Sequence, residues 1–257
     1  MSILDSFRLD DKVVIVTGAS SGLGVSFAQA FAEAGAHLVL GGARRVEQMA
    51  GTAALVEEAG RKVYTRKKTD VVDPDQCDQL VESAMKVFGR VDVLVNNAGV
   101  GTAVPATRET PEQFRKVVDV NLNGSYWMAQ ACGRVMQPGS SIINISSILG
   151  ITTGGLPQAA YSASKAAVIG LTRDLAQQWG AAQGYSCQRL GPPWLFFQSE
   201  MTDEYQPGYL ETQLPRVMLG RMGDPVELAA TAVWLASQAG GYVTGQTIIV
   251  DGGLTIT

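Results

Sequence analysis

Two side chains that can move a proton stand four residues apart: Tyr161 and Lys165. Apolar residues recur at helical spacing from Tyr161 to Gln178, so both side chains share one helix face and reach the same volume. A phenol ordinarily titrates near ~10, and a neighbouring ammonium favours its ionised form. Tyr161 can then serve as general acid or base near neutral pH. Tyr-x-x-x-Lys is common on helices; here it follows an apolar run that ends in Ser146-Ser147. Ser147 can donate a hydrogen bond to an oxygen that gains charge.

A second constellation opens the chain. Directly after Val13-Val-Ile-Val16 comes Thr17-Gly-Ala-Ser-Ser-Gly-Leu-Gly24. Gly18, Gly22 and Gly24, with Ser20, Ser21 and Leu23 between them, allow a tight turn that brings backbone amides to a pyrophosphate at a helix N-terminus. A dinucleotide site of this kind places Asp or Glu about 20 residues on when it holds a free ribose diol. This chain reads Leu40-Gly-Gly-Ala-Arg-Arg45 instead. With no carboxylate to repel a 2′-phosphate, and Arg44 and Arg45 able to grip one, NADP(H) is favoured over NAD(H).

These groups need a scaffold. Short runs apolar on both faces occur at Val13–Val16, His37–Leu40, Val63–Thr65, Val91–Val95, Ser141–Ile145 and Thr247–Val250, as strands of a buried parallel sheet do. Helical spacing fills the intervals at Val25–Ala34, Asp75–Phe88, Glu112–Met136, Tyr161–Gln178 and Asp224–Ser237, with Pro74, Pro111 and Pro225 at helix starts. The expected fold is α/β, a doubly wound parallel sheet of about seven strands (a Rossmann fold) with helices on both faces. One domain over residues 1–257 is expected, with 191–215, rich in Pro and aromatics, as a substrate loop.

Composition narrows the partners. The 257 residues carry a net charge of −4, which gives no basic surface for nucleic acid. One His (His37) and three Cys (Cys77, Cys132 and Cys187) are too few and too scattered for a metal cluster or a disulfide framework, so no metal is expected. No window reaches the ~18 apolar residues of a membrane span, and the start MSILDSFRLDDK lacks a leader pattern. A cytoplasmic protein with reduced thiols and a small-molecule partner is expected.

The chain resembles the short-chain dehydrogenases/reductases from Lys12 to Gly253. The likeness rests on the glycine run, Thr69-Asp-Val71, Asn96-Asn-Ala-Gly99, Val120-Asn-Leu122, Asn144-Ile-Ser-Ser147, Tyr161-Ser-Ala-Ser-Lys165, Tyr242-Val-Thr-Gly-Gln246 and Asp251-Gly-Gly253. The resemblance implies that Asp70 and Val71 flank an adenine, and that Asn97, Ala98 and Gly99 line the cofactor floor. It gives Tyr161 the acid/base role and has Lys165 hold the nicotinamide ribose and lower the Tyr161 pKa. Ser147 would contact the substrate oxygen, and Asn121 would bind a relay water through its backbone. Pro192 and Ser199 would lie by the nicotinamide. Relatives commonly form homotetramers through the long helices.

One stretch departs from the family. Where relatives read Gly-Ile-Arg-Val-Asn-Ala-x-Ala-Pro-Gly, this chain has Gly184-Tyr-Ser-Cys-Gln-Arg-Leu-Gly-Pro-Pro193. Gln188 and Arg189 in a central strand without partners would cost several kcal/mol. Cys-Gln-Arg is what a Val-Asn-Ala coding run yields when read one base early, so Tyr185–Phe196 reads either as a compensated frame error or as a genuine divergence. The spacing from Ser147 to Tyr161 is also one residue longer than usual, within the Gly150–Pro157 loop.

The function expected is hydride transfer between NADP(H) and a ketone or secondary alcohol. Trp194, Phe196, Phe197 and Met201 suggest apolar substrate walls. A 3-oxoacyl-carrier-protein reductase is the alternative within enzymes, since Leu219-Gly-Arg-Met222 also resembles that group. A nucleotide-binding scaffold or sensor that has lost turnover is the alternative outside them.

Overall fold

The computed structural model describes residues 2–184, 186–191, 212 and 214–257. Pro192, Ser199 and the apolar residues Trp194–Met201 lie outside them.

Seven parallel strands form one sheet: β1 (Val13–Thr17), β2 (His37–Gly42), β3 (Val63–Lys67), β4 (Val93–Asn96), β5 (Ser141–Ile145), β6 (Ser186–Gly191) and β7 (Thr247–Ile249), in the order β3-β2-β1-β4-β5-β6-β7. The first and fourth strands pair through Val14 with Val93, and the order reverses there. Loops leaving the carboxyl ends of β1 and β4 therefore diverge to opposite faces and open a crevice between them.

Helices cover both faces. On one, α1 (Leu23–Glu33), α2 (Met49–Glu58) and a late helix, Pro225–Ala236, pack Phe27, Phe31, Val56 and Leu228 against Val14, Val16, Leu38 and Leu40. On the other, α3 (Pro74–Phe88), α5 (Gly124–Gly133) and α6 (Ala159–Gln183) pack Leu80, Met128 and Leu175 against Ile15, Val39, Leu94 and Ile142. Alternate residues of each strand feed the two layers, so the strands are apolar on both sides. The preceding α4 (Pro111–Val118) and the late helix, α7, start at expected prolines. Thr110 with Gln113, and Asp224 with Glu227, make reciprocal capping boxes, and Asp73 caps α3.

Three readings are refined. Helix α2 was not legible: its register, Met49-Ala-Gly-Thr-Ala-Ala-Leu-Val-Glu-Glu58, is weakly amphipathic and follows a strand ending in Gly41-Gly42 and a turn with two arginines. The expected continuous helix Glu112–Met136 is broken into α4 and α5 by a π-helical turn, Asp119–Asn123. The departing stretch does form β6, whose backbone pairs Gln188 with Ile143 of β5 and Arg189 with Thr247 of β7.

Candidate active site

The crevice is a cavity of about 710 Å³. It runs from the glycine turn to the start of α6, lined at one end by Gly18, Ser20, Ser21, Gly22 and Leu23 and at the other by Tyr161 and Lys165.

The glycine turn is built by contact rather than by flexibility alone. A Cβ on Gly24 would stand 2.2 Å from the Gly18 carbonyl oxygen, and one on Gly18, at φ +65, would stand 2.9 Å from Ala98 Cα. Only glycine lets β1, α1 and the β4 loop approach this closely. Asn97 fastens the turn: its Nδ2 donates to the carbonyls of Thr17 at 2.9 Å and Gly18 at 3.1 Å. Thr17 Oγ1 in turn accepts from the amides of Asn97 and Ala98, each at 3.0 Å. The head of α1 opens on this glycine-rich turn at the cavity wall, an arrangement whose backbone amides fit a pyrophosphate.

Arg44 and Arg45 leave the carboxyl end of β2 as exposed side chains and line the same cavity, with Arg45 at φ +50. Asp70, Val71, Asn97, Ala98 and Gly99 also line it. Asp70 accepts from the Val72 amide at 3.1 Å, and the Thr69 amide ties this loop to Gly42 O at 3.0 Å. Residues 40–46 include no Asp or Glu.

At the other end, Tyr161 and Lys165 are 3% and 4% exposed, so both titratable groups are buried. Lys165 Nζ lies 5.6 Å from the Tyr161 ring centroid and donates to Ile145 O at 2.7 Å. Burial pushes the Tyr161 phenol well above its usual value, and a hydrogen bond with Ser147 pulls it back. Of the two serines ending β5, Ser147 is the one that meets the phenol; Ser146 Oγ donates to Lys165 O at 2.7 Å. Ser147 Oγ also accepts from the Leu149 amide at 3.1 Å, which fixes it beneath a short 3-10 turn, Ile148–Gly150.

Asn121 sits within the π-helical turn and is 1% exposed. Its Oδ1 accepts from the Val100 amide at 2.8 Å, and its Nδ2 donates to Val100 O at 2.9 Å and Ser164 Oγ at 3.0 Å. Ser164 Oγ donates to Tyr161 O at 2.7 Å, so the turn is laced to α6 beside the phenol. A π-bulge of this kind often marks a functional site.

Sequence reading missed one wall. Glu112, Arg115, Lys116, Asp119 and Val120 line the cavity from α4 and the turn after it. Their spacing of three or four is the recoverable signal. His37, by contrast, is structural: its Nδ1 accepts from the Lys62 amide at 3.1 Å and its ring stacks on Phe88 at 5.7 Å. Cys77 is buried and its thiol is pushed up to about 12 by burial, which leaves it unreactive.

Comparison with known proteins finds likeness in sequence and in fold. A family model described as enoyl-(acyl carrier protein) reductase matches residues 18–255. A 3-oxoacyl-[acyl-carrier-protein] reductase of Thermotoga maritima is 38% identical over 251 residues, covering 97% of this chain and 100% of that protein. An L-rhamnose 1-dehydrogenase (NAD(P)(+)) of Azotobacter vinelandii is 38% identical, covering 96% and 98%. A solved short-chain type dehydrogenase/reductase from Mycobacterium marinum superposes with a TM-score of 0.93 at 31% identity, over 100% of both chains.

Proposed function

Because the chain belongs to the short-chain dehydrogenase/reductase family and is thereby an oxidoreductase acting on CH–OH groups, we propose that it passes hydride between NADP(H) and a ketone or secondary alcohol, with Tyr161 as general acid/base. The carrying observation is the buried phenol, hydrogen-bonded to Ser147 and flanked by the Lys165 ammonium, at one end of the cavity that holds the glycine cradle at its other end.

The bound nicotinamide supplies or accepts the hydride. In reduction, the Ser147 and Tyr161 hydroxyls converge on the substrate oxygen; as that oxygen gains charge, Tyr161 gives up its proton to it. Burial, which raises the phenol, keeps the proton on Tyr161 until then. The Lys165 ammonium stabilises the resulting phenolate and is aimed by Ile145 O. Asn121 and Ser164 hold α6 against the Gly99–Val100 loop, so the geometry persists through turnover.

The coenzyme preference is supported by the two exposed guanidiniums on the cavity rim. A homotetramer in the cytoplasm completes the proposal. The 38% identity to a 3-oxoacyl-[acyl-carrier-protein] reductase favours that second substrate class. Against it, Gln177, Gln178, Ala181 and Ala182 along the end of α6 offer an acidic carrier no charge. Oxidation of NADPH and NADH followed against ketones, quinones and 3-oxoacyl thioesters tests the proposal. Ketone-dependent NADPH consumption is expected; cofactor binding without consumption of either coenzyme across the set contradicts it.

A further inference from the structure

Ser147 stands between two residues that grip one turn of α6. Before it, Ser146 Oγ donates to Lys165 O at 2.7 Å. After it, the 3-10 turn Ile148–Gly150 lies directly on the same main chain: a Cβ on Gly150 would stand 2.9 Å from both Lys165 C and Lys165 O, and 3.0 Å from Ala166 N. Gly150 does not have a left-handed φ, so space rather than backbone conformation excludes a side chain there. The obstructing atoms are helix backbone and cannot swing aside, so any side chain at 150 has to lift the turn off α6.

Between the two grips the segment is bonded to itself. The Gly150 amide donates to Ser147 O at 3.1 Å, and the Leu149 amide donates to Ser147 Oγ at 3.1 Å. Ile148 and Leu149 are 1% and 4% exposed and pack in one apolar cluster with Tyr161. A displacement at Gly150 is therefore passed to Ser147, whose hydroxyl bonds the Tyr161 phenol one helical turn before Lys165. Lys165 is thus held through its main chain by the same segment that carries the serine, and its ammonium is held by Ile145 O, the residue before that segment.

We infer that Ser146 and Gly150 are positioning residues for the reaction: together they staple the Ser147 segment to the main chain of Lys165 and so set the reach between the Ser147 hydroxyl and the Tyr161 phenol. Both act through Ser147. This rests on Ser147 and Tyr161 sharing the substrate oxygen. A misplacement of about 1 Å at a catalytic group costs on the order of 10²-fold in rate, so the staple is felt in kcat. Coenzyme binding is spared, because the glycine turn lies at the other end of the cavity.

The test is a pair of double-mutant cycles on kcat for ketone reduction, in which Gly150→Ala and Ser146→Ala are each combined with Ser147→Ala. With Ser147 present, Gly150→Ala is expected to lower kcat about tenfold and Ser146→Ala severalfold, with NADPH affinity unchanged. Both are also expected to move the rise of alcohol oxidation with pH to higher pH, because the phenol loses the bond that pulls it down. With Ser147 already replaced, neither substitution is expected to lower kcat further. An equal loss in both backgrounds makes the staple general scaffolding and overturns the inference, as does an undiminished kcat with an unmoved pH profile in Ser146→Ala. That substitution removes a hydroxyl without adding bulk, so its cycle decides the matter where Gly150→Ala fails to fold. Failure of the underlying reading shows separately, as undiminished kcat in Ser147→Ala itself.

Discussion

Asn121 Nδ2 and Ser164 Oγ meet at 3.0 Å, joining the π-helical turn to α6 one turn after the Tyr161 phenol. The bond crosses 43 positions of sequence and fixes the distance between the Gly99–Val100 loop of the cavity wall and the helix that carries Tyr161 and Lys165. A continuous helix would have carried Asn121 around its axis, away from Val100; the π turn presents both ends of its carboxamide to that residue's backbone.

Removing the Ser147 hydroxyl takes away the bond that pulls the Tyr161 phenol down and, on the proposed mechanism, the second donor to the substrate oxygen. Ser147→Ala is expected to lower kcat for ketone reduction by about 10²-fold or more, the loss typical of an oxyanion donor. Alcohol oxidation needs the phenolate, so its rate rises with pH; losing the bond raises the phenol further and moves that rise to higher pH. Rate profiles of the wild type and Ser147→Ala against pH check this.

Arg44 and Arg45 are solvent-exposed, so the proposed hold on a 2′-phosphate predicts an effect on coenzyme choice that is screened by salt. Arg44→Ala/Arg45→Ala is expected to raise KM for NADPH by about tenfold or more, the loss of a charged hydrogen bond, with little change for NADH. Initial rates with each coenzyme at low and high ionic strength measure it.

Asp92 anchors the amino end of the sheet. Its carboxylate accepts from the Val13 amide at 2.9 Å, from Arg90 at 2.6 and 2.7 Å and from Lys12 at 3.2 Å. Burial acts to raise its pKa, but Arg90, the Val13 amide and Lys12 together hold it below the usual carboxylate value. A folded pKa below the unfolded one means stability that is present above the unfolded value and lost as pH falls through the folded one. Asp92→Asn is expected to destabilise the protein by about 1–2 kcal/mol at neutral pH: the charged hydrogen bonds weaken, while Arg90 and Lys12, 53% and 39% exposed, return to water. Denaturant titrations should show that gap closing toward acid pH, below ~4.

Much of the site was legible because its parts are local. The glycine turn, the Tyr161–Lys165 pair and the strand ending in Ser147 each declare themselves within ten residues, and strands apolar on both faces announce a covered parallel sheet. The break at Asp119–Asn123 was not legible, since hydrogen bonds to residues distant in sequence impose it on an otherwise helical run. Helix α2 was missed because its apolar and polar residues are poorly segregated, and packing of Met49 and Val56 on the sheet rather than periodicity holds it.

The central claim is that the Tyr161 hydroxyl carries the proton. Tyr161→Phe keeps the ring in its apolar cluster with Leu149 and Val217, so the fold and the NADPH cradle should persist. Steady-state NADPH oxidation with the best ketone acceptor, measured alongside NADPH binding by fluorescence, is the direct test. Binding within a fewfold of wild type with kcat reduced by about 10³-fold is predicted; binding retained with kcat undiminished contradicts the account.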